Sequence, residues 1–301
     1  MWDHDERMDS LHVLSGIAVV NAGVNLPVIA AAARLAELGA SVTKVEPPGG
    51  DPSAELAESV YRRLTEGQTV VRLDLKAPDG RAAMSEVLAG ADVLLTSSRP
   101  SALARMGLDR AALLARHPRL VQVAIVGHAA PRQELAGHDL TYVARHGLLS
   151  PPALPKTLLA DLGGAERTAT AALGLLLARE RGLEDRYAEV ALADSAAFFA
   201  TVWAHGVTAA HGPLGGGEPF YGVYESADGW VALAALEPHF RARIVVELGI
   251  PAGTADELAE AFRERSSDDW ERWAEARDLP LAAVARESDR RDAPVVTTGI
   301  G

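Results

Sequence analysis

The chain has 301 residues, 48% of them hydrophobic and 23% charged, with a net charge of −12 and no cysteine. A chain of this length can bury a large apolar core and suggests about two domains. The lack of cysteine excludes disulfides, thiolate zinc sites and cysteine nucleophiles and fits a reducing cytoplasm, while the acidic balance argues against nucleic acid or an anionic membrane as a partner.

The opening residues MWDHDERMDS are polar and unlike a secretory signal, and no apolar run approaches the roughly 20 residues that a membrane helix needs. Residues 17–20 (IAVV) read as a strand, followed by a loop carrying Asn21, Gly23, Asn25 and Pro27, then by the helical stretch VIAAAARLAELGA closed near Gly39. A second strand, 41–45, stops at Glu46-Pro47-Pro48-Gly49-Gly50. Strand, helix and strand within about 30 residues make a βαβ unit and favour a parallel sheet. The pattern continues with a strand at 69–75, a helix at 78–89, a strand at 91–96, a helix at 101–116 and a strand at 120–126.

This order predicts an α/β fold: a doubly wound, Rossmann-like large domain over 1–205, whose ligand loops lie beyond the carboxyl ends of the strands at 21–27, 46–52, 96–100 and 127–139. The glycine-rich stretch from His211 to Gly217 reads as a flexible connector. After it, FYGVYES and WVALAAL flank an Asp228-Gly229 turn and read as a hairpin, with helices following at about 239–248, 255–264 and 268–276. The expectation is a smaller α+β domain over 206–290 and a short tail over 291–301.

Three segments place an ionisable group where an element starts or stops: Ala136-Gly137-His138-Asp139-Leu140-Thr141-Tyr142, Leu159-Ala160-Asp161-Leu162-Gly163-Gly164 and Leu236-Glu237-Pro238-His239-Phe240. Each has an ordinary reading beside a chemical one. Asp161 is either the N-cap of a helix over 165–180 or a desolvated acid with a raised pKa. His138 is either a surface hydrogen-bonding residue or a base. Glu237 either opens a helix or takes part in proton transfer.

Taken in order, A-G-H-D-x-x-Y, A-D-L-G-G and L-E-P-H-F after a D-G-W-V hairpin resemble the class III CoA-transferase (CaiB/BaiF) superfamily, and within it the α-methylacyl-CoA racemases. L-G-A-S-V-T-K-V-E-P-P-G-G-D-P, L-D-L-K and R-P…R-M-G-L-D match in the same register. The resemblance implies the fold of that superfamily and an isomerase that inverts the α-carbon of a 2-methylacyl thioester through an enolate. His138 and Asp161 would be the two proton-transfer groups, and Glu237 an acid that supports the histidine. No cofactor would be bound permanently and no metal is expected; coenzyme A would enter as part of the acyl-CoA substrate. The resemblance places Arg99 and Arg105 near its phosphates and Asp74, Leu75 and Lys76 along its adenosine part, counts Ser98, Gly137 and Tyr142 among the residues that bind it, and makes Gly137 and Gly163 places of close backbone approach. It also implies an interlocked homodimer in which Glu237 meets the histidine of the other chain. Transfer of coenzyme A, with Asp161 as nucleophile, is the alternative activity, and a relative with altered or no coenzyme A binding is another.

Overall fold

Two stretches of sequence with different hydrophobic patterns build two separate units. The computed structural model describes residues 12–291, which fall into compact units at 12–200 and 201–291. The opening decapeptide, and all but the first residue of the tail expected at 291–301, lie outside the described residues.

In the first unit, β1 (Ala18–Asn21), β2 (Ser41–Glu46), β3 (Thr69–Arg72), β4 (Val93–Thr96), β5 (Val121–Val126) and β6 (Tyr187–Ala191) form one sheet in the order β3-β2-β1-β4-β5-β6. Every neighbouring pair is parallel. Each residue of β4 and β5 is buried, as expected for central strands covered on both faces, and this is why they read as largely apolar runs, interrupted only by Gln122 and Thr96. The helices are α1 (Leu26–Glu37), α2 (Pro52–Leu56), α3 (Glu58–Leu64), α4 (Pro78–Ala89), α5 (Pro100–Met106), α6 (Arg110–Arg116), α7 (Asp139–Arg145), α8 (Leu159–Glu180) and α9 (Leu192–Phe199). Side chains of α1, α7, α8 and α9 pack with β1 and β5 in one core, around Ile29, Leu35, Val123, Val143 and Ala172. Met84, Leu88, Leu103 and Leu113 of α4, α5 and α6 pack with Leu94 in another.

The second unit holds α10 (Thr201–Ala204) and an antiparallel sheet of β7 (Tyr221–Glu225), β8 (Trp230–Ala234) and β9 (Leu281–Ala283). The helices α11 (Pro238–Leu248), α12 (Ala255–Phe262) and α13 (Ser267–Glu275) complete it. Its core is built on Phe220, Val231, Leu233, Ile244, Phe262 and Trp270, and the Trp270 indole donates to the Phe262 carbonyl at 2.7 Å.

The α/β expectation and the hairpin hold, with four local corrections. The helix expected over 101–116 is two helices, because Gly107 takes a left-handed conformation (φ 69) and Asp109 then caps α6 through the Ala112 N–H. The helix expected over 165–180 starts six residues earlier, at Leu159. The edge strand β6 was not foreseen: its Ala-rich sequence runs straight into α9. The glycine run is not a flexible connector either. Gly217 N–H donates to the Gly212 carbonyl and Leu214 N–H to the Val207 carbonyl, each at 2.9 Å, and a side chain on Gly212 or Gly215 would strike backbone carbonyls of 206–209.

One buried ion pair ties the front of the sheet together. Lys44 Nζ lies 2.8 Å from Asp51 Oδ2, with neither side chain exposed, and also donates to the Gly23 carbonyl at 3.2 Å. Asp51 Oδ1 accepts from Ser53 N–H at 2.9 Å and from Asn25 N–H at 3.3 Å. Burial pushes the Asp51 carboxyl up, but its bonds and its charge pairing with Lys44 outweigh burial and hold it below the usual carboxylate range. The stability that this provides is therefore present above the ordinary aspartate pKa and is lost as pH falls through the lowered one. Replacing Asp51 by Ala strands the ammonium, so denaturant unfolding should show a loss of about 3–5 kcal/mol. The paired change Lys44→Met with Asp51→Leu removes the stranded charge but not the loss of partners for the Gly23 carbonyl and the Asn25 and Ser53 N–H groups, so it should recover only part of that loss.

Candidate active site

The strand order reverses direction between β1 and β4, the point at which open α/β sheets bind ligands. A pocket of about 150 Å³ lies there. Val24, Asn25 and Pro27 from the β1–α1 loop, Ser97, Ser98 and Arg99 after β4, and Gly127, Gln133, Gly137 and His138 after β5 line it. Tyr142 of α7, Asp161 of α8 and Leu192 of α9 line it as well, with Ile125 and Val126 of β5. Three of the four expected loops contribute. The fourth, 46–52, does not reach the pocket but supports the first through Asp51.

The β1–α1 loop is fixed from both sides. Ser97 Oγ accepts from Val24 N–H and donates to the Val24 carbonyl, both at 3.0 Å, and Asn21 Oδ1 accepts from Gly23 N–H at 3.0 Å. Gly23 must be glycine, since a Cβ there would lie 2.6 Å from Ser97 Oγ. Asn25, the cap of α1, has φ 74 and ψ 166, a backbone region that non-glycine residues reach only under constraint, at about 1–3 kcal/mol. On the other side, Glu134 accepts from Ser101 N–H at 2.9 Å and from its hydroxyl at 3.0 Å, tying the 127–138 segment to the start of α5. The Ser101 bonds, with Arg99 and Arg105 nearby, hold the Glu134 carboxyl below its ordinary range.

His138 is the exposed N-cap residue of α7; the Thr141 hydroxyl accepts from its N–H at 3.1 Å and donates to its carbonyl at 2.8 Å. Asp161 is not the cap of α8. It occupies the third helical position, Leu158 being the cap residue, and its own N–H donates to Asp139 Oδ1 at 3.0 Å. The capping that is one of the two readings of Asp161 thus comes from another helix, and the Asp161 carboxyl lines the pocket. Burial, helped by the charge of Asp139, pushes that carboxyl up to about 7. Buried Tyr142 is raised by the same causes, its burial first and then Asp161 and Asp139.

The other expected site residues divide. Ser98, Arg99, Gly137 and Tyr142 share the pocket with His138 and Asp161. A Cβ on Gly137 would lie 2.5 Å from the Tyr142 ring and one on Gly127 would lie 2.4 Å from its hydroxyl, so the two glycines make room for the phenol. Gly163 has a packing role instead: a Cβ there would lie 2.2 Å from the Phe199 ring. Arg105 lines a separate cavity of about 440 Å³ with Arg81 and Arg116. Asp74 accepts from Lys76 N–H at 3.0 Å in an exposed turn, and Leu75 packs against the apolar core beneath α4. Glu237 is the exposed cap residue of α11 in the second unit. Asn25, Gln133 and Leu192 were not foreseen as pocket residues, nor Asp139 as the support of Asp161. The topology rule pointed to the loops of the first two, whereas nothing local to Leu192 or Asp139 marks them.

The sequence model of CoA-transferase family III matches residues 14–299. The chain belongs to that family. It is 31% identical over 277 residues to the α-methylacyl-CoA racemase of Homo sapiens, covering 85% of this chain and 69% of that protein. It is 27% identical over 331 residues to the cinnamoyl-CoA:phenyllactate CoA-transferase of Clostridium sporogenes, covering 93% and 80%. The crystal structure of a hypothetical protein from Mycobacterium tuberculosis, 24% identical, superposes with a TM-score of 0.80 over 93% of this chain and 88% of that one, and so shares the fold. The family is enzymatic and includes both racemases and CoA-transferases. Among the described residues no helix is long and apolar enough to cross a membrane, and no cluster of three or more His, Asp or Glu could hold a metal ion.

The raised Asp161 carboxyl has a consequence for stability in this family member. The folded state holds the proton to about pH 7 and the unfolded chain only to about 3.8. Stability is therefore complete below the lower value and declines as pH rises to the upper one. Asp161→Asn removes that penalty. Denaturant unfolding should find variant and parent alike near pH 4, and the variant more stable by about 2–4 kcal/mol at pH 8.

Proposed function

We propose that this family member inverts the α-carbon of a 2-methylacyl-CoA by two-base proton transfer. The observation that carries this reading is the presence of His138 and Asp161 in one small pocket at the switch point, with the carboxyl pushed up to about 7. A carboxyl in that range both accepts and returns a proton near neutrality, the matching that acid–base catalysis requires. One of the two groups takes the α-proton, the electron pair moves into the thioester carbonyl as an enolate, and the other group gives a proton to the opposite face.

The pocket has room for the reacting end of the substrate rather than for a whole nucleotide. In this reading the phosphates of coenzyme A are held by the guanidinium groups of Arg99, at the pocket, and Arg105, in the separate cavity, as the fork geometry of arginine suits. Next to Asp161 on α8, Leu162 and Gly163 open on an apolar groove of about 470 Å³ lined also by Ala30, Ala33, Phe198 and Phe199. This groove suits the hydrocarbon part of the acyl group. The interlocked homodimer, with Glu237 supporting the histidine of the other chain, is part of the same proposal.

Similarity to the transferases supports a second reading, in which ionised Asp161 attacks the thioester carbonyl, coenzyme A leaves as thiolate and a mixed anhydride remains. Incubation with a 2-methylacyl-CoA in deuterated water separates the two. Racemisation should exchange the α-proton, seen by NMR, and both His138→Ala and Asp161→Ala should lower the rate by at least about 100-fold. Absence of exchange, with an acyl group captured from Asp161 by hydroxylamine, would overturn racemisation in favour of transfer.

A further inference from the structure

Asp139 is the first residue of α7 and is almost fully buried, although it is a carboxylate directly following the exposed His138. Its Oδ1 accepts the backbone N–H of Asp161 at 3.0 Å across 22 residues of sequence. That N–H is the third of α8, one of those that a helix leaves without an internal partner; the first intrahelical bond in this stretch is that of Leu162 N–H to the Leu158 carbonyl at 3.0 Å. Leu158, in the cap position, has no side-chain oxygen to offer. A single carboxylate therefore sits one residue from one proposed proton-transfer group and is bonded to the backbone of the other.

We infer that Asp139 is a positioning residue that locks the start of α7 to the start of α8, fixing the spacing of His138 and Asp161 and keeping a negative charge beside the Asp161 carboxyl. The inference deepens the proposed racemase reading and rests on it for its link to turnover. The charge acts at close quarters. Among the pocket-lining side chains the only other ionisable groups are Arg99 after β4, His138 and Tyr142. The β1–α1 loop and α9 bring Val24, Asn25, Pro27 and Leu192, none of which titrates. On α1, Arg34 bonds Glu166, and both line the apolar groove rather than the pocket. Asp139 is thus the acidic neighbour that keeps Asp161 protonated to higher pH, an effect that adds to burial.

Two variants separate charge from position. Asp139→Asn keeps an oxygen for the Asp161 N–H and removes the charge; Asp139→Ala removes both. With aspartate labelled at the carboxyl carbon, the Asp161 resonance is identified by its loss in Asp161→Asn and titrated without substrate. Its midpoint should fall by about one unit in Asp139→Asn, a tenfold weaker hold on the proton. The corresponding limb of the exchange rate against pH should move with it, while Asp139→Ala should lose at least about tenfold more exchange than Asp139→Asn. An unchanged midpoint in a folded Asp139→Asn protein would overturn the inference. Should both variants unfold, the parent protein decides: the Asp161 amide should resist hydrogen exchange, and rapid exchange there would overturn the inference. Both readouts are independent of substrate. A parent protein that shows the shifted midpoint and the protected amide but no α-proton exchange would sink the racemase reading and leave the positioning of Asp161 standing.

Discussion

The Lys44–Asp51 pair is the constraint on which the front of this molecule depends. Two charges without exposed surface are costly in isolation, and their mutual attraction offsets that cost only when the remaining donors and acceptors are also used. Here they are: the ammonium also serves the Gly23 carbonyl and the carboxylate the N–H groups of Asn25 and Ser53. The partners belong to the loop that follows β1 and to the start of α2, which follows β2. The pair thereby converts two adjacent strand ends into one rigid wall, and it holds Asn25 in a backbone conformation that a free loop would leave. Ser97 joins that wall to the end of β4, so the pocket edge is fixed on both sides of the switch point.

A second economy of polar groups concerns the acids. A helix start invites a carboxylate, and α8 has one in its first turn, Asp161. Were Asp161 to cap its own helix, its charge would be stabilised by backbone N–H groups and its proton affinity would fall. Asp139 takes over that capping from α7, so the favourable N–H contact goes to the support and the desolvated position goes to Asp161. Burial first, and the charge of Asp139 second, then raise the Asp161 carboxyl.

What was legible in the sequence follows from which interactions are local. The strands β4 and β5 showed as short, largely Val, Ile and Leu runs because both faces of the sheet are covered there. The loops at 21–27, 96–100 and 127–139 followed from strand order alone. The split at Gly107 was missed because a left-handed glycine inside an apolar helical pattern looks like a tolerated substitution until Asp109 is seen to cap. Asp161 was placed outside its helix because the Gly163-Gly164 pair reads as a loop. The structure uses those glycines for close approach to Phe199 and Leu192 of α9, a contact with no local signature. The grouping of His138 with Asp161 came from the ordered motifs, whereas the support by Asp139 is a contact across 22 residues that no spacing rule reveals.

The same carboxyl could serve either chemistry found in the family, and the two make different demands on its surroundings. Nucleophilic attack needs the ionised form, held close to a carbonyl carbon while coenzyme A departs. Proton transfer needs a group that changes charge readily near the working pH. A carboxyl pushed up to about 7 changes charge near neutrality, which suits a group that alternates between acid and base. A second proton carrier is also required for inversion, and transfer has no use for one. In the proposed racemisation that carrier is His138, which is exposed, lines the same pocket and sits at the cap of α7. The burial of Asp161 and the presence of His138 are independent features of the chain, and the proposed proton transfer draws on both.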